Sequence, residues 1–210
     1  MTDSRPGRQR LPLHPGQTFL CSVLFFLPAL IPPLFGWLNG FLAVPVVYLL
    51  SSRGTGAGSM QLQISLLAAG LAALFTGRIE GFFFSLTLVP LGYSLHRSAQ
   101  AGASPAQSGG RGTLVLLGTW LLFWTLQGMV SGVNPYTNLR ESLDAGFRQM
   151  VEFAASDEAG LTPEMLYSVQ QALGEIRESA PRLLPGLLVA LVPVTVWLNM
   201  VTANSLTGRF

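Results

Sequence analysis

The feature that most constrains this chain is a run of 34 residues, 18–51, without a charged side chain. A helix needs about 20 residues to cross the hydrocarbon core of a bilayer, so this run is too long for one crossing and short for two. Its middle carries helix-breaking and turn-forming residues: Pro32, Pro33, Gly36, Asn39 and Gly40. We therefore predict a hairpin of two short helices, 18–34 and 38–51, with a re-entrant pair as the alternative.

Four further segments of the chain are apolar over roughly a membrane thickness. They are residues 60–76, 81–96, 112–133 and 183–204. Only 10% of all residues are charged, against about a quarter in soluble domains. The sequence thus predicts an all-α membrane protein with about six transmembrane helices. Polar or glycine-rich stretches predict a disordered N-terminus at 1–17, a flexible loop at 52–59 and a low-complexity linker at 97–111.

Residues 134–182 differ in character from the rest of the chain. They hold eight acidic residues and four arginines. Two apolar stripes at helical spacing run through them, Leu139, Leu143, Phe147, Met150 and Val151, then Met165, Leu166, Val169, Leu173 and Ile176. Asn138 with Glu141 resembles a capping box, and Thr162-Pro163-Glu164 is typical of a helix start. We predict two amphipathic helices here, joined by a turn at 157–160. Five transmembrane helices precede them in residues 18–133, and the sixth follows in residues 183–210.

The distribution of arginine predicts the orientation. Arginine and lysine near membrane ends favour the cytoplasm. With an internal N-terminus and six spans, the inner segments carry Arg5, Arg8, Arg10, Arg53, Arg97, Arg111 and Arg209 against one acid, Asp3. A single span over 18–51 would move three of these arginines outside. We therefore expect a multi-pass protein of a bacterial inner membrane, with both termini cytoplasmic and the acidic helix pair extracytoplasmic.

Several kinds of chemistry lack the residues they need. No charged side chain lies deep within the six predicted spans, which argues against a proton-driven transporter. His14 and His96 have no metal-ligand spacing, and Cys21 is the only cysteine. A net charge of +2 is too small to indicate nucleic-acid binding. We expect no catalytic residue, no metal and no cofactor.

A small set of polar and aromatic residues forms the candidate ligand site. Trp120 and Trp124 lie one helical turn apart, with Gln127 following, and Asn199 lies in the last span. Asn134 and Tyr136 lie where the fifth span meets the acidic segment. The alternatives are helix packing or lipid contact for the tryptophans, a hydrogen bond to a neighbouring helix for Asn199, and turn chemistry around Pro135 for the last two.

Three features together carry a family resemblance: Gly36-Trp37-Leu38-Asn39-Gly40 with Pro45, Asn134-Pro135-Tyr136 leading into Arg140-Glu141-Ser142-Leu143, and the last span from Arg182-Leu183-Leu184-Pro185 to Asn199. From about residue 18 onward the chain resembles the YybS-like family of predicted bacterial membrane proteins of unknown function. That family is distantly similar to the substrate-binding subunits of energy-coupling-factor vitamin transporters. The resemblance implies a six-helix protein that binds a small molecule from outside and docks on other membrane subunits.

Two functional hypotheses follow. The first is a small-molecule-binding transport subunit without its own ATPase, which predicts a void lined by Trp120, Trp124, Gln127 and Asn199. The alternative is a non-transporting scaffold or assembly protein whose outer helices recruit a partner. It predicts a filled bundle and an exposed apolar stripe on those helices.

Overall fold

The computed structural model of the protein describes residues 15–156 and 162–208. Every regular element within those residues is helical. The α-helices are α1 (Pro15–Leu30), α2 (Pro32–Phe35), α3 (Ala43–Phe75), α4 (Ile79–Leu86), α5 (Val89–Gln100), α6 (Pro105–Ser131), α7 (Pro135–Ala154) and α8 (Pro163–Thr207), and a 3-10 helix covers Gly36–Phe41. The predicted turn at 157–160 and most of the predicted N-terminal segment lie outside the described residues.

Several of these helices suit a membrane by length and composition. Within the described residues, α3, α6 and α8 are each long and apolar enough to cross a bilayer. A fourth candidate is α1 together with residues 32–41, a pair bent by 116°. This confirms an all-α protein with several apolar helices suited to a bilayer. The number six stays a prediction.

The chain divides into two compact units. The first comprises residues up to Trp120 together with those from Val192, and the second comprises Leu121–Leu191. The first unit holds the main apolar core, in which Phe25, Leu50, Leu91 and Leu116 are fully buried. These side chains come from α1, α3, α5 and α6, and further core residues lie on α4 and α8, so the described core joins six helices. Close packing of this kind fixes the positions of the polar residues that lie among them.

The flexible loop predicted at 52–59 is wrong. Residues on both sides of Gly54 are helical, and only Gly54 departs, with φ 74° and ψ 165°. A positive φ costs glycine little, which lets the chain reverse in a single residue. Gly58 then packs on the preceding arm of α3: a Cβ there would lie 2.5 Å from the carbonyl oxygen of Leu49. Close backbone contact, rather than solvation, orders this glycine-rich stretch.

The low-complexity linker predicted at 97–111 is also wrong, since only residues 101–104 separate α5 from α6. Gly112, the next residue along α6, packs closely against neighbouring helices. A Cβ at Gly112 would lie 2.9 Å from Val196 Cγ1 and 3.1 Å from Leu91 Cδ1. Small residues let helices approach closely in a membrane, so glycine here serves packing. The predicted span 81–96 is two helices, α4 and α5, which separate just before Pro90.

In the second unit, the start of the first predicted amphipathic helix and the end of the second differ from the prediction. α7 begins at Pro135, and Asn134, not Asn138, is its N-cap: the Asn134 Oδ1 accepts a hydrogen bond from the backbone N–H of Tyr136 at 2.9 Å. The predicted start at Thr162 is confirmed, because Thr162 Oγ1 accepts from the N–H of Met165 at 3.4 Å. The helix that begins there does not end before the last span. It continues through Pro181 and Pro185 as the single helix α8.

Candidate polar site at the broken helix

The break between α1 and α3 places polar backbone inside the first unit. The chain leaves α1 at Ile31, bends by 116° and continues as the short α2 and the 3-10 helix. Irregular backbone of this kind leaves carbonyl groups without the usual intrahelical partner. In an apolar environment each unpaired group costs several kcal/mol, so such segments occur only where other parts of the protein supply hydrogen bonds.

Asn199 of α8 supplies one of these hydrogen bonds. Its side chain is fully buried, and its Nδ2 donates to the carbonyl oxygen of Gly40 in the 3-10 helix and to that of Thr195 at 2.8 Å. The hydrogen bond to a neighbouring helix, predicted as the alternative to ligand binding, is thereby confirmed. Asn199 ties the last helix to the broken segment across 159 residues of sequence.

Ser85 of α4 holds the same segment from a second side. Its hydroxyl lies 2.8 Å from Asn39 Oδ1 and 3.2 Å from the carbonyl oxygen of Gly81. The sequence predicts Asn39 only as a turn residue and does not single out Ser85. The one available signal is a serine that directly follows Phe82, Phe83 and Phe84 within an apolar span. A buried hydroxyl of this kind needs a partner, and the broken segment provides it.

Trp120 packs against an aromatic ring of α4. The Trp120 and Phe84 ring centroids lie 6.2 Å apart with the planes tilted by 31°. The Trp120 Nε1 and the Asn199 Oδ1 are both buried, and neither has a hydrogen-bond partner among the described residues. Each side chain therefore combines ordinary packing with one polar atom that water or a ligand can satisfy.

The other four predicted site residues belong to the second unit. Trp124 packs edge-to-face on Phe123 at 5.6 Å between ring centroids. Gln127 is half-buried on α6, and Asn134 caps α7. The predicted set is thus divided, with Trp120 and Asn199 in one unit and the remainder in the other. A binding role for any of the six stays a prediction.

Tyr136 has a specific structural partner. Its hydroxyl donates to the carbonyl oxygen of Pro181 at 2.9 Å. In an unbroken helix that carbonyl would accept from the N–H of residue 185, but Pro185 has none. Tyr136 therefore satisfies the acceptor that the proline releases, and α7 is joined to α8 at this point.

A second contact joins α7 to α8 beside an open cleft of about 920 Å³. Arg177 donates from Nε and Nη2 to the two carboxylate oxygens of Asp144, at 2.9 and 3.0 Å. This hydrogen bond, and then the arginine charge, lower the pKa of Asp144 below its ordinary value. Both side chains remain about half exposed, so the pair orients the helices more than it stabilises them. The described residues contain no cluster of His, Cys, Asp or Glu that would hold a metal ion.

Comparison with known proteins gives a match to a family model. No curated protein and no solved structure matches the chain. The similarity to energy-coupling-factor subunits therefore has no support from these comparisons. A family model described as "Predicted membrane protein (DUF2232)" matches residues 19–210, which is the region over which the sequence resembles predicted membrane proteins. The chain belongs to this family of predicted membrane proteins of unknown function.

Proposed function

We propose that this chain is a non-transporting membrane scaffold whose α7–α8 pair recruits a partner protein. The observation that carries the proposal is an apolar surface that the pair leaves uncovered. Of the two predicted stripes, Leu143, Phe147, Leu166 and Leu173 are partly buried. Met150, Met165 and Ile176 are instead 52–57% exposed, and Phe153 is 61% exposed.

The packing of the first unit supports the scaffold over the transport subunit. Asn199 is fully buried and bonded to backbone, and Trp120 rests on Phe84. Neither residue lines the cleft beside Asp144 or either of two grooves between α1 and α3. A ligand-binding subunit keeps an apolar pocket with a few convergent polar groups, whereas a scaffold has no need of one.

Charge defines the partner's chemistry. The described part of residues 134–182 carries six acidic side chains and four arginines: Glu141, Asp144, Glu152, Glu164, Glu175 and Glu178 against Arg140, Arg148, Arg177 and Arg182. Anionic lipid headgroups repel such a surface, while basic protein segments are attracted to it. We infer an apolar protein segment flanked by arginine or lysine. The same proposal places the protein in a bacterial inner membrane with both termini cytoplasmic, supported by the arginine distribution, and assigns it no catalysis.

Small-molecule binding is the second candidate, because one observation favours it. The Asn199 Oδ1 acceptor and the Trp120 Nε1 donor are both buried without a partner among the described residues. A small ligand with a hydroxyl or amide group would satisfy such atoms, as would bound water.

Site-specific photocrosslinking in intact cells tests the docking proposal. A photoreactive phenylalanine analogue at Phe153 or Ile176 should give a discrete crosslinked protein band, because both positions lie on the uncovered apolar surface. Ser168, exposed on α8 but outside the apolar stripe, is the matched control and should give no band. A basic partner also predicts that Glu175→Lys lowers the yield at Ile176 severalfold, whereas Glu80→Lys on α4 leaves it unchanged.

Two outcomes of the crosslinking contradict the proposal. Adducts with lipid alone at Phe153 and Ile176 would show that the apolar surface lies on the membrane. Equal protein yields at Ser168 and Ile176 would show non-specific collision instead of docking.

A further inference from the structure

A groove in the first unit shares no lining residue with the polar site or with the docking surface. It has a volume of about 590 Å³ and runs between the first turns of α1 and the first arm of α3. Its walls are mostly apolar and include Gln17, Leu20, Cys21, Pro45, Tyr48 and Leu49. Leu20 is 60% exposed at its edge, and Leu49 is buried at its base.

A positive charge lies next to the wall of this groove. Pro45, Leu49 and Arg53 are spaced by four residues, which places all three on one face of the helix. The Arg53 Nη2 donates to Gln17 Oε1 at 2.8 Å, so the guanidinium lies next to a residue of the groove wall.

Gln17 and Arg53 flank the two ends of the uncharged run 18–51 in the sequence. α1 begins at Pro15, the uncharged run ends shortly after Leu50, and α3 reverses at Gly54. Charged and polar side chains at helix ends lie at the level of lipid headgroups, with apolar surface extending toward the hydrocarbon. The Arg53 cation would then lie near the lipid phosphates, and the apolar groove would lie along the acyl chains. This arrangement matches the anionic headgroup and the hydrocarbon tail of a phospholipid.

We propose that this groove binds an anionic phospholipid, with the phosphate at Arg53 and Gln17 and an acyl chain along Leu20, Pro45 and Leu49. Arginine recognises phosphate oxygens through its planar fork of donors. Basic pockets between membrane helices bind anionic headgroups by the same interaction. All the residues involved belong to the first unit, so this inference stands independently of partner docking by α7 and α8.

Native mass spectrometry after exchange into detergent with equal amounts of phosphatidylglycerol and phosphatidylcholine tests this site. The protein should retain phosphatidylglycerol in preference. Arg53→Gln should lower that preference by about fivefold, the effect of one basic side chain at a membrane surface. Arg97→Gln removes the same charge from an exposed position on α5 and should leave the preference unchanged.

Two further variants keep the test informative if Arg53→Gln fails to fold. Arg53→Lys retains the cation and should keep most of the preference. Leu20→Trp fills the groove while Arg53 is intact, and should lower retention of both lipids. Equal losses in the Arg97 and Arg53 variants, or equal retention of the two lipids by the unaltered protein, would overturn the proposal. Adducts of inorganic phosphate that persist when Leu20→Trp blocks lipid would identify a free-anion site instead.

Discussion

Gly58→Ala is expected to cost the protein about 3 kcal/mol of stability, the upper end of the range for overpacked cores. A Cβ at Gly58 would lie 2.5 Å from the carbonyl oxygen of Leu49 and 3.0 Å from the Cα of Leu50. These are backbone atoms, so no side-chain rotation relieves the clash and the two arms of α3 must move apart. Thermal unfolding in detergent should show a Tm lowered by roughly 6–12 °C.

Gly56 provides the control for that substitution. It lies on the same helix, and nothing occupies the 4 Å around a Cβ at this position. Gly56→Ala should therefore be neutral or stabilise slightly, by up to about 1 kcal/mol, because alanine favours a helix over glycine. Equal Tm values for the two variants would mean that the arms of α3 do not pack closely at Gly58.

Asn199→Leu is expected to cost about 1–3 kcal/mol, the penalty for a buried polar group without its partner. Leucine cannot donate to the carbonyl oxygen of Gly40, which the Asn199 amide satisfies in the native protein. Hydrogen exchange should then accelerate over Gly36–Phe41, and the Tm should fall. Ser205→Leu, at an exposed position of the same helix, should change neither quantity. If both variants behave alike, Asn199 does not hold the broken segment.

The helical membrane architecture could be predicted because its signal is spread over many residues. The charge-free run 18–51 and the later apolar segments each report on lipid contact, whatever their neighbours are. The break around Pro32 and Gly36 was predictable for the same local reason. The sequence predicted that Asn199 donates a hydrogen bond to a neighbouring segment, since a buried amide must find a partner. It could not identify the carbonyl group of Gly40 as the acceptor, because that depends on the tertiary structure.

The wrong predictions of helix ends and linkers concern residues whose conformation depends on contacts with residues far away in the sequence. Pro185 suggests a helix end, yet α8 continues because the Tyr136 hydroxyl satisfies the carbonyl oxygen of Pro181. Residues 105–111 suggest a linker by composition, yet they form the first turns of α6, whose Gly112 packs closely against Val196 and Leu91. Ser85 was missed because a lone serine in an apolar span gives no sign of its partner, Asn39.

The central proposal is that the α7–α8 pair binds a protein, while Trp120 and Asn199 serve packing and hold no metabolite. Native mass spectrometry of the detergent-purified protein tests it most directly. We predict a retained polypeptide, lost when Ile176→Asp places a charge on the exposed stripe and kept in Ser168→Asp. A reproducible bound metabolite, lost on Trp120→Ala or Asn199→Ala and accompanied by no partner polypeptide, would contradict the scaffold and identify a small-molecule-binding subunit.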